Sequence, residues 1–225
     1  MKKLTILALA ATSFLMACQG AGGDKSSTTA QQEVAAEKGT VFTLDTLSSS
    51  LKWTGYHKGG LNPRFGTLKG SGTVAVDADT VTGGSFVIDM TAVATDAKSV
   101  DPAKSGGKTA ADLDAHLKNA DFFEVEKYPS AKFEITGTKA FDATKDKSSI
   151  ADANVMVSGN LTIKNKTVNV TFPAKLSVSA SELTLLSKFT INRQDWGLTY
   201  GTEGSPQDWM ISQEIDIELN LIAKK

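Results

Sequence analysis

The run DLDAHLKNADFFEVEKYPSAKFEI, Asp112–Ile135, breaks the rhythm of the residues around it. Its neighbours alternate apolar and polar residues with a period of two, as strands with one buried face do. Inside the run Leu113, His116, Leu117 and Ala120 recur at three-to-four spacing, which predicts a short helix. Asp112 and Asp114 fall in its first turn, where the positive end of the helix dipole favours carboxylates. Phe122 and Phe123 then arrive together, Tyr128-Pro129 holds the backbone extended, and alternation resumes at Ala131–Thr136. One helical piece with an aromatic pair, set in an otherwise β chain, is expected to cross or close a sheet.

Outward from that run the strands are read by phase. Val41–Leu44 and Leu51–Tyr56 open the sheet with a turn at Ser48-Ser49-Ser50, and Leu51, Trp53 and Gly55 share one side. After a loop at Lys58-Gly59-Gly60 and Asn62-Pro63, Phe65–Val76 alternates through Leu68, Val74 and Val76. Its glycines, Gly66, Gly70 and Gly72, are expected at bulges or bends where a sheet curls. Gly83-Gly84 is read as a turn into Ser85–Thr91, where Phe86, Ile88 and Met90 point together. A polar passage, Ala94–Thr109, precedes the helix, and a second polar loop, Asp142–Asp152, follows the strand that carries Phe133 and Ile135. Asn154–Ile163 aligns Val155, Val157, Gly159, Leu161 and Ile163. A hairpin turn at Asn165-Lys166 leads into Val168–Ser179, the cleanest alternation in the chain, with Pro173 on its polar phase pointing to a bulge or an edge. Leu183–Asn192 shows a phase change near Leu186, and Ile211–Ala223 supplies a last long strand.

The N-terminus is set apart before any fold is drawn. Lys2 and Lys3 precede an apolar run that ends in Leu15-Met16-Ala17-Cys18, too short to span a membrane and built like a secretory leader. Its ending resembles the bacterial lipoprotein signal, in which cleavage before a cysteine is followed by diacylation of the sulfur. Cys18 is the only cysteine, so no intrachain disulfide forms; an ordinary leader with an incidental thiol is the alternative. The expected organisation is a signal peptide at 1–17, a flexible tether at 18–39, poor in large apolar residues, and one domain at 40–225. Formal charge is −1, falling to −3 once Lys2 and Lys3 leave, and no basic run supports nucleic-acid binding. The expected location is the bacterial cell envelope, periplasmic or outer-membrane associated, with the lipid as the membrane anchor.

About eight one-faced segments with one helical interruption leave a sandwich or a closed barrel. Long strands at both ends favour the barrel, which hides its edges, and the charged outer phase excludes a lipid-facing transmembrane barrel. Large inward residues (Trp53, Phe86, Phe133, Phe172, Phe189) mix with small ones (Gly159, Ala174), which leaves a filled and a hollow interior both open.

Asp112–Ile135 resembles the signature of the YceI-like family, NLTIKNKTVNVTFP (Asn160–Pro173) resembles its hairpin, and FTINRQDWGLTY (Phe189–Tyr200) a third segment, with Trp196 and Asn165 as departures. The resemblance covers nearly all of 40–225. It implies an extended eight-stranded antiparallel lipocalin-like β-barrel with one short helical insertion, enclosing a polyisoprenoid lipid of quinone or polyprenyl type and requiring no other cofactor. The lining would then come from the inward phases: Trp53; Phe86, Ile88 and Met90; Phe122 and Phe123; Phe133 and Ile135; Val157 and Leu161; Val170, Phe172 and Leu176; Phe189 and Ile191; and Ile217. His57 and Arg193 are the candidates for meeting a head group. Whether two copies pair as a homodimer is left open.

Signals for chemistry are weak. His57 and His116 lie far apart with no metal-ligand spacing around them, and nucleophile or phosphate-loop motifs are absent. His116, between Leu113 and Leu117, is expected to be packed and hydrogen-bonded. Arg193 and Asp195 are read as a salt-bridged corner beside Trp196 and Tyr200, or else as a head-group anchor. The function expected is a non-enzymatic lipid-binding lipoprotein. The alternative is a structural or interaction lipoprotein with a filled barrel and working loops at 94–109 and 142–152.

Overall fold

The computed structural model describes residues 23–204 and 210–225. The leader and Cys18 lie outside the described residues, as do Ser205 and Pro206 at the end of the turn that Gly201–Pro206 suggests in sequence. In chain order the elements are β1 (Asp24–Lys25), β2 (Ser27–Thr29), β3 (Thr40–Leu44), β4 (Ser50–His57), β5 (Leu61–Asp77), β6 (Thr80–Thr95), α1 (Ala110–Lys118), β7 (Ser130–Ala140), β8 (Val155–Ile163), β9 (Lys166–Val178), β10 (Glu182–Asn192) and β11 (Ile211–Lys224). From β5 to β11 each strand pairs antiparallel with the next, and β4 closes the ring between β11 and β5. β3 continues the β4 position toward one end, pairing the same two neighbours. The result is a closed eight-stranded antiparallel barrel, with α1 as its helix.

Two apolar clusters brace it. One runs along β8, β9 and β10 up to Trp196, with Phe172 and Phe189 stacked at 4.1 Å. The other joins Phe42, Val74, Val76, Val81, Ile135, Leu183 and Ala223 into a floor at one end. Helix α1 begins as its sequence asks. Thr109 accepts from Asp112 N, and Asp112 reaches back to Thr109 N, a reciprocal capping box. His116 meets Asp121 Oδ2 at 3.1 Å and packs edge-on against Phe122 and Tyr200.

Ring closure is incomplete between β9 and β10. Their register runs only from Val178↔Leu183 to Lys175↔Leu186, and Pro173, which brings no N–H, stands just past its end. The segment expected to be a free tether fills the gap. β1 adds parallel to β10 at Phe189 and Thr190, and β2 adds antiparallel to β9 from Thr171 to Asn169. The chain then crosses β8, where Gln32 N donates to Asn160 Oδ1 and Asn160 Nδ2 donates back to Gln32 O. It crosses β7 through Ala35 N to Ile135 O and reaches β6 where Lys38 N donates to Thr82 Oγ1. Residues 23–39 therefore form a belt, not a tether. They hold through main-chain hydrogen bonds, which need no large apolar side chains.

Other local readings change for related reasons. Gly83-Gly84 makes no turn; the turn is Ala78-Asp79, both at positive φ. A Cβ on Gly83 would lie 3.0 Å from Ala35 O, so glycine is there to let the belt pass. The β8–β9 hairpin turns on Lys164-Asn165, both at positive φ, one residue earlier than read. β10 keeps one phase: Ser187, 2 % exposed, takes the inward place and Leu186 faces out.

Two outcomes test this account. Asn160, 1 % exposed, bonds the belt and accepts from Asn169 Nδ2 at 3.1 Å. Asn160→Leu should destabilise the fold by about 1–3 kcal/mol by stranding those partners, and should speed proteolysis within 23–39; urea unfolding and timed digestion read both. Asp45 accepts from Leu47 N, Ser48 N, Ser48 Oγ and Lys224 Nζ. Chiefly through Lys224, these hold its carboxyl down at about 2. A lowered acid stabilises above its ordinary value near 3.8 and loses that contribution as pH falls through about 2. The melting-temperature deficit of Asp45→Asn should therefore be full at pH 6 and vanish near pH 2.

Candidate ligand cavity

The inward phases of the eight strands do not fill the barrel. They enclose a cavity of about 420 Å³, within the usual range for ligand pockets and room for about a dozen waters at liquid density. Every residue expected on the wall is on it: Trp53, Phe86, Ile88, Met90, Phe122, Phe123, Phe133, Ile135, Val157, Leu161, Val170, Phe172, Leu176, Phe189, Ile191 and Ile217. Not all face open space equally. Val170, Phe172 and Phe189 are nearly fully buried in the first cluster, whereas Trp53, Phe86, Leu161 and Ile217 are half-buried and border the hollow. Leu51, Leu68, Leu219 and Leu221 also line it. Their alternation was visible in the sequence, but nothing local says which inward side chains meet a partner across the barrel and which meet a void.

Both ends are shut. The floor cluster seals one, its members each at most 6 % exposed. At the other, α1 lays Leu113 and Leu117 toward the cavity, with Phe122, Met90, Val93, Trp196 and Leu198 buried around them. Trp196 Nε1 donates to Leu161 O at 2.8 Å, fixing the indole across the top of β8. Arg193 sits in this seal at 3 % exposure. Its Nε donates to Ser212 O, Nη1 to Leu198 O and Nη2 to Ile211 O, and burial lowers the guanidinium from its usual range. The salt-bridged corner with Asp195 does not form. All three nitrogens already serve main-chain carbonyls, so Arg193 is a structural staple and no head-group anchor.

His57 differs. It follows Leu51, Trp53 and Gly55 at successive inward positions of β4. Among the described residues neither His57 Nδ1 nor Trp53 Nε1, both buried atoms, finds a hydrogen-bond partner. Orphaned polar nitrogens in an apolar enclosure are costly unless something meets them, and these two lie on one strand of the cavity wall. Arg64, the other guanidinium on the wall, gives Nη1 to Ser99 O. The cavity thus offers hydrocarbon walls, the Trp53 indole N–H and the His57 Nδ1 nitrogen, with the buried Arg193 guanidinium already bonded through all three nitrogens. Gly55 leaves open space between the two nitrogens, since a Cβ there would meet only Ile215 Cδ1 at 3.4 Å. Among the described residues no three His, Cys, Asp or Glu gather at metal-holding range.

Comparison with known proteins agrees with this architecture. A family described as the YceI-like domain matches residues 42–223. Two UPF0312 proteins, from two strains of Pseudomonas putida, are 41% identical over 64 residues; that match spans 28% of this chain and 29% of each relative, under a third of their length. Among solved structures, Burkholderia cenocepacia BcnA superposes with TM-score 0.57 at 21% identity, covering 80% of this chain and 99% of its own. A polyisoprenoid binding domain from Saccharophagus degradans, implicated in plant cell wall breakdown, gives 0.55 at 15% identity, covering 85% and 99%. At these identities the likeness is one of fold.

Proposed function

The chain belongs to the YceI-like family, and from that premise we propose that it is a non-enzymatic envelope lipoprotein that holds one long isoprenoid chain inside the barrel. The hollow itself carries the reading: an enclosed, almost wholly apolar cavity that gains by exchanging water for hydrocarbon. A similar fold in a polyisoprenoid binding domain supports the choice of chain. The Leu15-Met16-Ala17-Cys18 ending supports a lipid on Cys18, which would keep the carrier at a membrane.

The donor pattern narrows the head group. Arg193, the buried guanidinium of the wall, gives all three nitrogens to carbonyls, while half-buried Arg64 gives Nη1 to Ser99 O. Trp53 Nε1, and His57 Nδ1 in the tautomer that carries its hydrogen there, suit an uncharged oxygen acceptor, as a quinone carbonyl is. This pair on β4 favours a quinone-type lipid.

Protein purified from its native host without detergent, then extracted with organic solvent, should release isoprenoid in near-equal amount to protein by mass spectrometry. Recovery of no lipid at all would refute the reading. Gly55→Phe, which projects a ring into the hollow, should lower recovered lipid by about tenfold with the fold retained by circular dichroism. The head-group assignment has its own readout. Trp53→Phe and His57→Phe should each weaken binding of an isoprenoid quinone by about threefold to tenfold, the worth of one hydrogen bond. Neither should change binding of squalene, which has no acceptor.

A further inference from the structure

With both ends of the barrel shut, a ligand needs another way in, and the strand register shows where the wall is broken. β3 pairs β5 as far as Thr43↔Thr73, and β4 resumes only at Leu51↔Leu68. Between them the chain leaves the sheet as the turn Asp45–Ser49, so Lys69, Gly70, Ser71 and Gly72 of β5 have no register partner on that side. On the β11 side the same turn stays tied: Asp45 N donates to Ile222 O, and Ile222 N donates to Ser49 Oγ. The break is thus one-sided, a slot between the turn and β5. Gly70 and Gly72 border it, and a Cβ on either would press on β6, at Val87 O and Ser85 O respectively.

The cavity lining runs out through this slot. Almost all the wall is buried or half-buried; the exposed members are Thr46, Lys69, Ser71 and Val87. Thr46 lies on the turn, Lys69 and Ser71 on the unpaired stretch, and Val87 opposite Ser71 on β6. They surround one place. Leu44, Ser50, Leu51, Leu68 and Leu221 carry the apolar surface inward from it. At the tip of the turn Leu47 is 97 % exposed, the most exposed large apolar side chain among the described residues. The belt of residues 23–39 crosses β10 through β6 and leaves this face uncovered.

We propose that this slot is the portal through which the isoprenoid chain passes sideways between the cavity and a lipid surface, with Leu47 as the side chain that enters that surface. The inference rests on the lipid-binding reading above. A hydrocarbon chain can slide through such a slot without opening either apolar seal, each of which would expose a buried cluster to water. A single exposed leucine beside the slot places its mouth against hydrocarbon, and Asp45, held by Lys224 Nζ at 2.6 Å, fixes the base of the turn that carries it.

The test uses the whole protein and retinol, a fluorescent C20 isoprenoid, delivered from phosphatidylcholine vesicles in stopped flow. Thr46→Trp and Ser71→Trp place an indole at the slot; Ser177→Trp puts one on the outer face of β9 as a control. Both slot variants should slow uptake and release together by about fivefold or more, leaving final occupancy within about twofold of wild type, as a passage and not a binding contact would. Ser177→Trp should change neither rate. Leu47→Asp should slow uptake from vesicles by a similar factor while uptake of retinol added from ethanol stays as in wild type. Slot variants with wild-type rates, beside a wild type that loads normally, would overturn the portal and leave the binding reading standing. A wild type that takes up neither retinol nor any lipid from its native host would overturn both. Leu47→Asp without effect on vesicle uptake would overturn the contact with a lipid surface.

Discussion

A barrel is stable because each strand edge finds a partner, and in this chain the ladder lapses in several stretches, two of which decide how the cavity wall is closed. Between β9 and β10 the ladder ends after Lys175↔Leu186. Between β5 and the β3–β4 position it lapses from Lys69 to Gly72. Unpaired backbone cannot be left in a dry wall. The first gap is covered by the belt outside, while the Phe172–Phe189 stack backs it within. The second lies beside an exposed turn, where water and ligand can reach it. Sealing and access are thus two treatments of one constraint.

The belt changes how the polar N-terminal composition is to be understood. Residues 23–39 look like a tether because they cannot bury apolar area, and composition measures only that. Their order comes from elsewhere: strand additions at both sides of the β9–β10 gap, and the reciprocal pair between Gln32 and Asn160. Asn160 and Asn169 sit on the outward phase of β8 and β9, yet each is 1 % exposed because the belt lies over them. Outward asparagines opposite one another on a hairpin, and a paired glycine on a neighbouring strand, were the visible traces. Neither identifies a covering segment until the long-range pairing is known.

The barrel, its helix and the membership of its wall were legible from periodicity together with the family resemblance, since a two-residue alternation states directly which side chains face inward. Errors gathered where the outcome depends on a partner strand. Gly83-Gly84 reads as a turn until the belt is seen pressing on it, and Lys164-Asn165 differs from Asn165-Lys166 only by the register across β8 and β9. Arg193 reads as a salt-bridged corner with Asp195, or else as a head-group anchor, because the two charges stand at a strand end beside Trp196 and Tyr200. The carbonyls of Leu198, Ile211 and Ser212 that occupy it come from a turn and a strand whose positions no local pattern gives. Depth and opening are harder still, for they are properties of space left over.

Where the stability of the molecule resides follows from the same geometry. The floor cluster and the β8–β10 cluster contain most of the buried apolar side chains, and the half-buried leucines on β4, β5 and β11 contribute less. The wall that borders the hollow is therefore the weakly packed side, and the uncovered lapse at Lys69–Gly72 falls on it. Filling the cavity would add contacts mainly to β4, β5 and β11, so an occupant should protect amides of those strands more than those of β8 and β9. Closing the slot by continuous pairing would strengthen the barrel and at the same time cut off the hollow. On the proposed reading, the incomplete ladder is what gives an apolar cavity in a closed barrel a way in.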